Sequence, residues 1–228
     1  RDLHSFPTRR SSDLLLTRTL AARQGLLGGI EQSISQMCEA GFLVEDESGS
    51  SAGTKRLRAT PLGRICARLQ VGPESVLRLR TLFATTTALT HFDFMLLACS
   101  LPDSDASLPV DFEELSTLTE QLAQRRSHLL AGGDESPTVR LGVAPKRLLV
   151  AVKAALILSA WTETGDEQLV AQQLCCYASE VVRLREGAVR LLTVMQDVLR
   201  FLCVDDPDCA LHAKGLTAKA ARVQLMVT

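Results

Sequence analysis

The side chains best suited to do chemistry in this sequence are cations. Arg183 and Arg190 are seven residues apart in a stretch of helical period, about two turns or about 10 Å along one face. They can line a channel for a nucleic-acid strand, although a solvated basic face is the default reading of such a pair. Lys55, Arg56 and Arg58 form a second cluster opposite Glu45, Asp46 and Glu47. These cations can clamp phosphates or pair across a hairpin, and pairing is the stronger reading. A motor would need a glycine loop to cradle phosphates and a lysine to reach them, yet no GxxxxGK[ST] occurs. GxSxG, HExxH and GxGxxG are absent too, so the chain assigns itself no catalytic residue. Whether the parent protein is an enzyme stays open on these grounds.

Other reactive residue types have structural readings. His4, His91, His128 and His212 are scattered without a close helical pair, so no metal site is expected. Cys175 and Cys176 fall in an apolar stretch read as helical, where small buried thiols are common. Trp161 follows an apolar helix and can stack on a base, but packing at the helix end is the preferred reading.

Composition limits the partners. The 228 residues carry a formal net charge of −1, so no global basic field draws the chain onto nucleic acid and any contact must be local. An apolar share of 46% with only 4% aromatics leans toward a mainly α protein. Seven cysteines, an odd number without a CxxC pair, fit a reduced intracellular compartment: cytoplasm in a prokaryote, nucleus in a eukaryote. No apolar run reaches the roughly 18 residues of a membrane span, so no membrane partner is expected.

The elements that must position these residues are read as follows. A short helical run over 15–24 leads to Gly25, a helix over 26–40 stops at Gly41, a hairpin joins Phe42–Val44 to Lys55–Ala59, and Thr60-Pro61 opens another helix. Helix, helix, hairpin, helix is the winged-helix order, assigned to residues 15–72. A multi-helix bundle follows over 73–202, with helices at 74–98, 112–130, 146–160 and 179–202 and a loop over 132–145. Residues 203–228 are a tail of undecided structure. Residues 1–14, Arg1-Asp2-Leu3-His4 onward, look like a translated sequencing adapter and are left out of the fold reading.

Three passages then carry a resemblance. Ala59-Thr60-Pro61-Leu62-Gly63-Arg64 with Gly72-Pro73-Glu74-Ser75, the stretch Thr90 to Asp103, and Ala154 to Glu163 are similar, in this order, to the superfamily-two DNA repair helicases of the archaeal stalled-fork type, related to the helicase part of polymerase theta. The resemblance implies a ratchet-like bundle in which the helix Ser179 to Leu191 touches the translocating single strand. Arg183 takes the place of the family's arginine there. Arg190 replaces its tryptophan, so a guanidinium plane stands where an indole stacks.

The resulting expectation is a DNA-binding accessory part of an ATP-dependent DNA helicase, gripping a single strand during repair or replication restart. Its site residues are Arg183, Arg190, Lys55, Arg56 and Arg58. Its partners are single-stranded or forked DNA and motor domains on the same polypeptide, to which ATP and Mg belong; no cofactor is assigned to this chain. The alternative is a winged-helix or helical adaptor that binds protein or RNA.

Overall fold

Leu27, Ile30, Ile34 and Met37 recur at helical spacing, and the chain is helical over 27–39 (α1) in a computed structural model that describes residues 27–46, 56–131, 136–205 and 210–228. The chain divides into two compact units, Arg1–Gly63 and Arg64–Thr228. In the first, Gly41 takes a left-handed φ of 78° and ends α1, with the Phe42 N–H returning to the Met37 carbonyl at 2.9 Å. β1 (Leu43–Asp46) then pairs antiparallel with β2 (Arg56–Ala59), Leu43 opposite Ala59 and Asp46 opposite Arg56.

α2 (Pro61–Leu69) starts in this unit, and its start is anchored to Phe42. The Thr60 N–H donates to the Phe42 carbonyl at 3.0 Å, its hydroxyl donates to the Gly41 carbonyl at 2.7 Å, and its Oγ1 accepts the Gly63 N–H at 3.2 Å, as an N-cap does. Phe42, the residue so surrounded, has no exposed surface. A Cβ on Gly63 would stand 2.2 Å from the Phe42 carbonyl oxygen. Only glycine lets the helix approach that closely, which gives the Thr60-Pro61-Leu62-Gly63 phrase a physical reason.

Among its described residues the second unit has helices as its regular elements. α3 (Pro73–Thr85), α4 (His91–Ser100) and α5 (Leu115–Ala123) precede α6 (Pro137–Leu141), α7 (Pro145–Thr164) and α8 (Glu167–Gln173), and α9 (Ala178–Asp205) and α10 (Ala210–Val227) close the chain. The whole is mainly α, with a two-stranded sheet as its β structure among the described residues. Residues 92–100 of α4 and 151–160 of α7 are all buried, so these two nearly all-apolar helices form the centre, as their lack of a polar face requires. α9 packs on α3, α4, α7, α8 and α10.

Several expected boundaries are corrected. The single helix expected over 74–98 is two helices. The Thr85-Thr86-Thr87 run is β-branched and favours extended backbone, and Thr86 is extended there. Thr90 and Asp93 form a reciprocal capping box that starts α4 afresh. The helix expected over 112–130 ends at Ala123. The backbone N–H groups of His128 and Leu129 donate to the buried Asp93 carboxylate instead, at 3.1 and 3.3 Å. The expected loop over 132–145 contains α6, and the helix expected over 146–160 runs on to Thr164, so Trp161 lies inside it. Cys175 and Cys176 lie in the turn between α8 and α9, not in a helix. The undecided tail carries α10. The adapter-like residues 1–14 and the helical run expected over 15–24 lie outside the described residues. Among those described, no helix is long and apolar enough to cross a membrane.

Candidate nucleic-acid interface

α9 carries Arg183 and Arg190, and its sequence decides which way they point. Val181, Leu184, Ala188, Leu191, Met195, Val198 and Leu202 are all buried. A heptad drifts by about 20° on a straight helix, so Arg183 and Arg190 share a direction away from that stripe. Arg183 is exposed and has no hydrogen bond or ion pair among the described residues.

Arg190 is differently employed. Its guanidinium donates to the Gln70 carbonyl at 3.2 Å and the Asp103 carbonyl at 3.0 Å, and stands 3.9 Å from the Asp105 carboxylate. Gln70 has a left-handed φ of 51° just past the end of α2, a rare conformation for a side-chain-bearing residue. Asp103 in turn accepts the Gly72 N–H at 2.9 Å and the Ser75 hydroxyl at 2.5 Å, capping the start of α3. Arg190 therefore braces α9 against the ends of two neighbouring elements. The fork geometry of the guanidinium is what lets one side chain reach two carbonyls.

The remaining cations of this unit divide in the same way. Arg185 lies 4.7 Å from the centre of the Trp161 ring and pairs with Glu167 at 3.3 Å. The Trp161 indole N–H donates to the Val227 carbonyl at 3.2 Å. One face of the ring is thus covered by a cation, which fits the packing role expected for it. Arg68 and Arg200 both pair with Asp197. Lys153, which sequence reasoning did not single out, is fully buried on α7. Its ammonium pairs with Glu114 at 2.6 Å and donates to the Pro109 carbonyl at 2.8 Å.

On the hairpin of the first unit, Arg56 and Arg58 are both exposed. They alternate with Leu57 and so project from one face. Arg56 stands opposite Asp46 and Arg58 opposite Val44 in the ladder register. Lys55 and Glu47 lie outside the described residues.

The thiols differ by setting. Burial pushes the Cys99 thiol up to about 12. Burial, then the Glu180 carboxylate, pushes Cys176 up to about 11. Burial also raises Cys66, with the Asp103 carboxylate adding to it. Cys175 is exposed with a left-handed φ of 48°. Among the described residues no group of three or more His, Cys, Asp or Glu side chains is placed to hold a metal ion. His212 contacts the Phe83 carbonyl at 3.2 Å, while His91 begins α4. No protein-family model and no curated protein matches this chain.

Proposed function

We propose that this chain is the DNA-gripping part of an ATP-dependent DNA helicase. In this reading residues 15–72 form a winged helix, residues 73–202 form a ratchet-like bundle, and α9 lies along a single strand. The observation that carries it is Arg183: an exposed guanidinium, unpaired among the described residues, on a long helix whose opposite side is locked in the core. A free cation on a rigid element meets a phosphate at little ordering cost. The sequence similarity of the Ser179–Leu191 stretch to a strand-contacting helix supports the same position. Arg56 and Arg58 on the hairpin supply a second, separate phosphate contact. ATP and Mg would act in motor domains of the same polypeptide, inside the cell.

The test is fluorescence anisotropy with oligothymidylates and oligouridylates of increasing length. The proposal expects affinity to rise with strand length until the site is filled, to favour DNA, and to fall when Arg183 is replaced by Ala. Preference for RNA would move the protein to the adaptor reading. Absence of strand binding would remove the nucleic-acid function.

A further inference from the structure

Away from α9, the turn between α5 and α6 is held from two sides. The buried Asp93 carboxylate accepts the Ser127 hydroxyl at 2.5 Å and the His128 and Leu129 N–H groups. From the other side Arg140 donates to the carbonyls of His128, Leu129 and Ala131 at 2.9, 3.1 and 3.2 Å. A turn whose donors and acceptors are both engaged has a fixed shape, so side chains on it are placed before any ligand arrives.

Two exposed side chains that carry N–H donors stand on this turn, Arg126 and His128, and neither has a partner among the described residues. They line a basin of about 610 Å³ together with Arg125, Leu122 and Leu130. Among the described residues the charges around it do not cancel. Arg125 is matched by Glu163, which its guanidinium grips with two nitrogens. Asp93 is surrounded by donors and faces the turn backbone. The Arg126 charge is left over.

We propose that this basin binds a phosphate group, a phosphomonoester dianion seated against Arg126 and His128. The oxygens of one dianion can accept from both side chains at once, and its charge matches the guanidinium of Arg126. The apolar body of the ligand would rest on Leu122 and Leu130, and the basin is large enough for a nucleoside beside the phosphate. The shared chemistry has two sources, a free nucleotide and the phosphorylated end of a strand. The site does not involve α9, so it stands or falls apart from the strand-gripping reading.

Isothermal titration of the full chain with adenosine 5′-monophosphate and with adenosine tests it, alongside a short oligothymidylate with and without a 5′-phosphate. At least one phosphate-bearing probe should bind about tenfold or more tightly than its phosphate-free counterpart, as expected for charge-assisted hydrogen bonds. Whichever pair shows the difference names the source. Arg126→Ala with His128→Ala should remove that difference, Arg126→Lys should keep part of it, and Arg183→Ala should leave it unchanged. Arg126 and His128 are exposed, so melting should be unaffected in these variants. If neither phosphate-bearing probe outbinds its counterpart, or if the double variant binds it as the parent does, the site does not exist.

Discussion

Arg183 and Arg190 are the same side chain, two turns apart on one helix and pointing the same way, yet only one of them is free. Arg190 spends its guanidinium on the carbonyls of Gln70 and Asp103, while Arg183 meets nothing among the described residues. What separates them is not the helix but what packs over it. The loop after α4 lies on the Gly187–Arg190 turn, where a Cβ on Gly187 would come within 3.1 Å of the Asp105 carboxylate. A cation under such a loop becomes part of the frame. A cation one turn beyond it stays available to a ligand.

Lys153 is the limiting case of a charge used in the frame, and the largest effect should come from it. Its ammonium is fully buried against Glu114, whose side chain is only 16% exposed. Lys153→Met keeps the volume but leaves a carboxylate and the Pro109 carbonyl without their donor. Removing one partner of a buried pair costs about 3–5 kcal/mol. The loss should appear as a lower denaturation midpoint with an unchanged m-value. Adding Glu114→Gln should return part of the loss, because the uncompensated charge is then gone. A loss below about 1 kcal/mol, within the ordinary run of substitutions, would show that the pair does not hold the bundle.

Arg190 should come next. Arg190→Ala strips two charge-assisted hydrogen bonds from a side chain that is 36% exposed, so water takes over part of the work and about 1–3 kcal/mol is the expected loss. Arg190→Lys should recover little, since an ammonium is a point charge without the fork. Arg183→Ala should stay within about 0.5 kcal/mol of the parent, as surface changes without partners do. Equal losses at the two positions would erase the distinction drawn between them.

How far this division could be read in the sequence depends on the range of the interaction involved. The mainly α class, the hairpin and the buried stripe of α9 follow from local periodicity and turn chemistry, so they were legible. The Thr90–Asp93 capping box was legible too, because a Thr followed three residues later by an acid is a helix start, but the apolar run around it hid the signal. Arg190 was legible as a cation on a helix face and not as a brace. Its acceptors are backbone carbonyls 120 and 87 residues away, and every residue type has a carbonyl. Lys153 was hidden for the same reason, as a lysine in the apolar stretch of α7 whose acceptors, on Glu114 and Pro109, lie 39 and 44 residues earlier in the chain. The turn bearing Arg126 and His128 was read as the end of a helix. What reshapes it is Asp93, a buried acid more than thirty residues earlier in the chain.

The smallest effect is the one that bears on function, and it is read from salt dependence rather than from stability. On single strands each neutralised phosphate contributes about 0.7 to the slope of log affinity against log salt. If Arg183 is the free contact of the proposed strand interface, Arg183→Ala should flatten that slope by about 0.7 with no change in melting. Arg190→Ala should change it less, because a guanidinium committed to two carbonyls and beside the Asp105 carboxylate has little charge to offer a phosphate. An equal change at both positions would mean that Arg190 leaves its carbonyls when the strand binds, so the brace of the unbound protein would be a contact of the complex. Should Arg190→Ala weaken binding with no change in slope, its guanidinium plane stacks on a base, which is typically a contribution of about 1–3 kcal/mol. An unchanged slope and affinity in Arg183→Ala would make the pair an ordinary solvated face beside a structural arginine, and the strand-gripping role of α9 would have to be given up.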